Sequence, residues 1–145
     1  MPCRVILGGL LPFLITLASC GNGDAAGAKG VVAAPERLPG GGTVHLVRVA
    51  AGGEEPGFLP SRVTLRAGDA IRFVNTSRHP EAVGFDPARV PAGSYEALAR
   101  QGAFHPPLLV NPGDYFQLSF EGALPGRYRF HSLAGGVAGT AIVTE

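Results

Sequence analysis

Apolar and polar residues alternate with a period of two along much of this 145-residue chain from residue 43 onward. Residues 126–132 place two aromatic residues and a serine on one face, and two arginines and a histidine on the other. Such alternation is typical of a strand with one buried face. Comparable runs predict further strands over residues 43–50, 62–66, 71–75, 83–86, 108–110, 116–120 and 140–143.

Turns rich in glycine and proline separate these runs. Residues 67–69 read Ala-Gly-Asp and residues 111–114 read Asn-Pro-Gly-Asp, and both sets tolerate the dihedral angles of tight turns. Many short strands joined in this way predict an all-β domain, an antiparallel Greek-key sandwich or barrel.

One segment, residues 87–105, lacks the alternation. Within it, Ser94 is placed to cap a short helix over residues 95–100, and Gly102 is placed to end that helix. The sequence therefore predicts a short helix or loop insertion between two strands of the sandwich.

Residues 1–19 are predicted to be a secretory signal peptide. Arg4 precedes an apolar run that is too short, and too interrupted by Pro12, to make a good membrane-spanning helix. The run ends in Leu-Ala-Ser-Cys20, which is similar to the bacterial lipobox, in which the cysteine receives lipid and becomes the first mature residue. The alternative is an ordinary signal peptide followed by a chance cysteine.

Residues 20–42 are predicted to be a flexible linker, because glycine, alanine and proline dominate them and little in them can be buried. Residues 43–145 are enough for one domain. With lipid on Cys20, the domain would be tethered to a membrane of the bacterial cell envelope, at the periplasmic face or the outer surface. We expect it to be monomeric.

Composition limits the chemistry of the mature chain. The only cysteines are Cys3 and Cys20 and the only methionine is Met1, so beyond residue 20 there is no soft sulfur ligand and no disulfide. Removing residues 1–19 leaves 11 basic and 11 acidic residues. The sequence contains no run of basic residues, so nothing in it predicts nucleic-acid binding. The sequence has no Ser-His-Asp order, phosphate loop or metalloprotease motif, so no enzymatic activity is expected.

Two motifs carry a family resemblance. Residues 63–75 read Val-x-Leu-x-Ala-Gly-Asp-x-Ile-x-Phe-x-Asn, and residues 128–132 read Tyr-x-Phe-x-Ser ahead of a short loop and a last strand. Together they resemble the cupredoxins, the plastocyanin, amicyanin and azurin relatives. That resemblance implies a blue-copper centre built from one thiolate, two imidazoles and a weak axial ligand that is usually methionine.

The resemblance also assigns the ligand positions, and none of them holds the family's residue. Ser132 takes the place of the cysteine, and Glu81 that of the first histidine. The loop histidine falls at Ala134 or Gly135, and Val137 takes the place of methionine. We therefore expect no bound copper, and we expect Glu81 and Ser132 to be polar residues facing water.

The histidines offer substitute ligands. His45 and His131 fall on outward strand faces, where a solvated side chain is the common case. His79 and His105 lie in loops before prolines, and sliding the loop would make His79 the equivalent of the family ligand. With Glu81 they could hold Zn²⁺ or Cu²⁺, since imidazole and carboxylate suit both ions.

Three functional hypotheses follow. The first is a membrane-tethered binding or accessory module that has lost its copper site. The second is a sulfur-free copper or zinc binding protein, and the third is the copper-dependent electron carrier that the resemblance implies. In the first, the uncharged loop after Ser132 would meet an unidentified envelope protein if it faces outward, and would otherwise tuck into the core. The residues of that partner surface would be Leu133, Val137, Pro106 and Pro107.

Overall fold

The computed structural model describes residues 36–50, 56–134 and 136–145. The predicted signal peptide, Cys20 and most of the predicted linker lie outside these residues. No helix in the described part of the chain is long and apolar enough to cross a membrane.

Within the described residues, the domain consists of eight strands and one short α-helix. In chain order the elements are β1 (Val44–Ala50), β2 (Gly57–Leu59), β3 (Arg62–Arg66), β4 (Ala70–Asn75), β5 (Val83–Phe85), α1 (Tyr95–Ala99), β6 (Tyr115–Ser119), β7 (Gly126–Ser132) and β8 (Ala138–Thr144). Two 3₁₀ turns, Pro87–Arg89 and Ala92–Ser94, precede the helix. The predicted all-β sandwich with a short helical insertion is confirmed.

The strands form two four-stranded sheets, ordered β2-β1-β4-β6 and β3-β8-β7-β5. Each sheet contains one parallel pair, β1 with β4 and β3 with β8. The other pairs are antiparallel, as predicted, so the sheets are mixed, and the two parallel pairs are a feature that the alternation did not indicate. Alternation predicts which face of a strand is buried but does not specify which strand lies beside it.

Aromatic side chains from both sheets fill the space between them. Phe73 contacts Phe130 edge to face with ring centroids 5.0 Å apart, and Phe58 meets Phe130 at 4.8 Å. Gly139 lies directly against this cluster, because a Cβ atom there would overlap the Phe130 ring. The inward faces predicted from the alternation are the ones that form the core.

Residues 36–42, predicted to be the end of the linker, form part of the domain. A turn places the Leu38 N–H 2.7 Å from the Gly42 carbonyl, and the Val44 N–H donates to the Glu36 carbonyl. The Glu36 carboxylate also pairs with Arg72 at 2.6 Å. The ion pair joins residues 36 positions apart in sequence, a contact that local composition does not reveal.

Two other local predictions were wrong. Residues 108–110 do not form a strand, and only Leu109 makes a bridge, to Glu81. The Val110 and Asn111 N–H groups are instead bound by the Asp114 carboxylate. Ser94 precedes the helix but does not cap it, because its hydroxyl lies 2.7 Å from the Tyr128 hydroxyl.

Candidate functional site

The two central positions of the site, Glu81 and Ser132, lie next to each other in the core. Ser132 is the last residue of β7 and pairs with Val83 at the start of β5, two residues after Glu81. Both side chains are buried, so the prediction that they face water was wrong. The reason is the pairing of β5 with β7, which brings residues 51 positions apart into contact.

The carboxyl group of Glu81 is held through one of its two oxygens. Oε1 accepts hydrogen bonds from the Ser132 hydroxyl and from the Ala82 N–H, both at 2.8 Å. Oε2 is buried and has no hydrogen-bond partner among the described residues. A buried polar atom without a partner costs free energy, so the site contains a local source of instability.

The backbone of Glu81 is fixed from the opposite side. Its N–H donates to the Leu109 carbonyl at 2.9 Å, and the Leu109 N–H returns a bond of 2.7 Å to the Glu81 carbonyl. The segment after α1 is thereby tied to the loop before β5.

Asn75, at the end of β4, organises the loop that leads to Glu81. Its Nδ2 donates to the carbonyls of His79 and Leu109 at 2.9 and 3.0 Å. Its Oδ1 accepts from the N–H and the hydroxyl of Ser77. From the sequence, Asn75 was predicted only to end a strand. An asparagine that ends a buried strand just before a polar loop is itself a signal for side-chain bonding to that loop.

The loop after Ser132 divides between surface and core. Leu133 is 58% exposed, and its N–H donates to the Ala82 carbonyl. Val137 instead packs against the core, and its carbonyl accepts from the Ser132 N–H. Ala134 is exposed, and Gly135 lies outside the described residues. Of the two positions predicted to face outward on this loop, Leu133 does so and Val137 is partly buried.

Exposed apolar side chains lie on the two segments that bond to Glu81 and Ala82. Leu108 and Val110 are 62% and 49% exposed and flank Leu109, which pairs with Glu81. Pro107 is also exposed, whereas Pro106 packs beside Gly84 and is half-buried. We call the exposed set, Leu133, Pro107, Leu108 and Val110, the apolar end.

The histidines do not gather at the site. His79 and His105 are exposed, and His131 is half-buried on the outer face of β7. In the part of the chain that the structure describes, no three His, Cys, Asp or Glu side chains come together as a metal-binding group. The predicted substitute set of His79, Glu81 and His105 is therefore not assembled.

His45 lies at the opposite end of the sandwich, beside Asp69. Its Nε2 is 3.1 Å from Asp69 Oδ2, so His45 is not the freely solvated residue that its strand face predicted. Partial burial alone would raise the pKa of Asp69, but bonds donated by the Arg66 and Thr43 N–H groups, together with His45, hold that pKa below its ordinary value.

Comparison with known proteins places this geometry in a family. A chloroplastic plastocyanin of Oryza sativa subsp. indica is 34% identical over 119 residues, covering 81% of this chain and 72% of its own. This chain belongs to the plastocyanin family. A chloroplastic plastocyanin of Hordeum vulgare is 29% identical, again over 81% of this chain and 72% of its own. No family model matches the chain.

Solved structures agree with this plastocyanin fold. A mutant plastocyanin of fern aligns with a TM-score of 0.53 and 24% identity, covering 69% of this chain and all of that one. A reduced mutant of amicyanin aligns with a TM-score of 0.52 and 19% identity, covering 70% of this chain and 82% of that one. The predicted cupredoxin-like domain is thus confirmed.

The residues at the site do not fit the copper centre that the family resemblance implies. A blue-copper site requires a thiolate and two imidazoles turned toward one point. Here a carboxyl group and a hydroxyl stand at the two assigned positions and bond to each other, and the chain's cysteines are Cys3 and Cys20 alone. We derive no electron-transfer step from this site.

Proposed function

We propose that this plastocyanin-family chain is a binding or accessory module of the bacterial cell envelope, without an enzymatic or electron-carrier role. The observation that carries the proposal is the hydrogen bond between Glu81 and Ser132 inside the core. It joins the two positions where the family's histidine and cysteine would hold copper, and it uses their polar atoms for each other.

Copper titration of the purified protein, with a plastocyanin as positive control, tests this proposal. A blue-copper centre gives an intense thiolate-to-copper absorption band, which requires a cysteine sulfur. We expect no such band for this protein at any copper concentration. The band would overturn the proposal and restore the electron-carrier hypothesis.

The sulfur-free metal hypothesis requires a separate measurement. Calorimetry with Cu²⁺ and Zn²⁺ on the wild type and on His79→Ala should give weak binding or none. Tight binding that His79→Ala removes would favour the metal-binding function over the accessory one, because removing one imidazole from so small a ligand set takes away most of the affinity.

The apolar end is the proposed docking surface for an envelope protein. Its three large aliphatic side chains are 49–62% exposed and belong to segments whose backbones bond to Glu81 and Ala82, and exposed apolar surface of this kind is typical of protein interaction sites. Val137 was predicted to belong to this surface, but it packs against the core and is not included. Pro106 was also predicted to belong to it and is not included because it is half-buried.

Paired substitutions test the docking surface. Leu133→Asp should leave the melting temperature unchanged and reduce cross-linking to the envelope partner, while Leu46→Asp, which alters an exposed leucine on β1, should affect neither. If Leu133→Asp unfolds the domain, or if both variants cross-link like the wild type, the docking proposal fails.

Membrane attachment through Cys20 completes the proposed function. Stable anchoring requires more than one acyl chain, and a multiply acylated cysteine would supply them. Mass spectrometry should find lipid on Cys20 in the wild type, and Cys20→Ala should leave the membrane fraction. A wild-type chain without lipid would remove the anchoring part of the proposal but not the accessory part.

A further inference from the structure

Three exposed arginines line the outer face of the second sheet. Arg127 and Arg129 lie two residues apart on β7, and Arg62 lies on β3. Both Arg62 and Arg129 pair in register with Thr140 of β8, so one short side chain separates them across the sheet. Neighbouring strands are about 4.8 Å apart, which lets the two long guanidinium side chains converge above Thr140.

These arginines border an open groove of about 740 Å³. Arg89, from the 3₁₀ turn after β5, adds a fourth guanidinium to the lining, which also includes the small residues 138–140. The hydroxyls of Ser61 and Thr140 are the other polar side-chain groups of the lining. No aromatic or large aliphatic residue is part of it.

The positive charge of this groove is only partly balanced by the protein. Arg89 pairs through Nε with Asp86 at 3.3 Å. Within the described residues, Arg62, Arg127 and Arg129 form no ion pair, and no acidic side chain lines the groove. The full chain carries a formal charge of only +1, so these arginines are a local concentration of charge on a nearly neutral protein.

We propose that this groove binds a phosphate group carried by a small ligand. Guanidinium groups bind phosphate oxygens in bidentate geometry, and hydroxyls of the lining can donate further bonds. The volume lies within the range of about 300–1,000 Å³ that is usual for small-molecule sites. The polar lining suits the phosphate rather than an apolar body. The inference is independent of the docking function, since the groove shares no residue with the apolar end.

Calorimetry on the full protein tests this proposal with four probes: inorganic phosphate, pyrophosphate, glycerophosphoglycerol as the soluble head of phosphatidylglycerol, and a glutamate oligomer. The groove variant is Arg62→Gln with Arg129→Gln. The control is Arg48→Gln with Arg100→Gln, which removes the same charge from two exposed arginines outside the groove. Melting temperatures establish that each variant is folded, and Arg127→Gln alone replaces the double variant if that one does not fold.

We expect a phosphate-containing probe to bind the wild type and the control variant with equal affinity. The groove variant should bind it at least about tenfold more weakly, because the loss of one charge-assisted hydrogen bond corresponds to that factor. Binding should weaken as salt rises, since the groove is exposed. Preference for glycerophosphoglycerol would identify a lipid headgroup as the source, and preference for pyrophosphate a free phosphate compound. Equal affinity in all three proteins, no binding of any phosphate probe, or binding of the glutamate oligomer alone would overturn the proposal.

Discussion

The two ends of the sandwich each contain a carboxyl group, and the two groups have opposite structural roles. At one end Asp69 accepts from the Thr43 and Arg66 N–H groups at 2.8 and 2.9 Å and lies beside His45. At the other, Glu81 uses one oxygen, and its second has no partner among the described residues. Asp69 therefore stabilises its end of the sandwich. The Glu81 side chain instead lies beside a set of hydrogen bonds, called the frame below, that holds the loop of residues 76–80 and Leu109.

That frame is built by a neutral side chain. Asn75 makes four hydrogen bonds that connect β4, the loop of residues 76–80 and Leu109. Because an amide both donates and accepts, it can bind carbonyls and an N–H group at the same time, which a carboxylate cannot do. At the end where the family would hold copper, Asn75 therefore holds the loop, while the Glu81 side chain leaves one oxygen without a partner among the described residues.

The largest expected effect is therefore at Asn75. Asn75→Leu removes four hydrogen bonds at a buried position, and we expect a loss of about 3 kcal/mol in the free energy of unfolding. The carbonyls of His79 and Leu109 each keep one other donor, whereas the Ser77 N–H loses its acceptor. Urea denaturation measures this free energy. Asn111→Leu, at an exposed asparagine, should change the same free energy by about 0.5 kcal/mol or less. Similar losses in the two variants would contradict the assignment of the frame to Asn75.

A smaller and pH-dependent effect is expected at Asp69. Asp69→Asn weakens two bonds to a charged acceptor, and we expect a loss of about 2 kcal/mol at neutral pH. Because the pKa of Asp69 in the folded protein lies below its ordinary value of 3.8, its contribution is complete above that value and disappears as the pH falls through the folded value.

Denaturation of both proteins at neutral and acidic pH tests this linkage. The difference in unfolding free energy between wild type and Asp69→Asn should shrink in acid, whereas Glu121→Gln, at an exposed carboxylate, should follow the wild type throughout. A difference that stays constant with pH would show that Asp69 acts through something other than its charge.

The sequence predicted the parts of this fold that depend on local pattern. The inward faces of β3, β4, β6 and β7 follow from alternation, and a short helix lies where it was predicted after Ser94, although Ser94 does not cap it. Apart from residues 108–110, which Asp114 binds locally, its failures involve partners distant along the chain. Ser94 bonds to Tyr128, Glu36 to Arg72, and Glu81 to Ser132. No local pattern specifies such pairs, because strand order and register determine them.

The candidate site shows the same division. The family motif alone assigns Glu81 and Ser132 to ligand positions of the copper site. Composition alone shows that no cysteine follows residue 20. Alternation placed Ser132 on the buried face of β7, but residue type gave no sign that Glu81 is buried, because a carboxyl side chain usually faces water. Only the pairing of β5 with β7 places them together inside the core.

The smallest expected effect is at Glu81, and it is the sharpest test of the comparison. Replacing Glu81 by Leu together with Ser132 by Ala removes both partners of the buried hydrogen bond and also removes the carboxyl oxygen that lacks one. The Ala82 N–H loses its acceptor, which costs about 1 kcal/mol, while apolar packing and the loss of the unpaired oxygen offset that cost. We expect the unfolding free energy of the double variant to lie within about 1 kcal/mol of the wild-type value. Glu81→Leu alone should be less stable than the double variant, because it deprives the Ser132 hydroxyl of this acceptor.

A double-mutant cycle measured by urea denaturation gives both values. If the double variant loses as much stability as Asp69→Asn, then Glu81 stabilises its end as Asp69 does, and the two carboxyl groups are structurally equivalent after all.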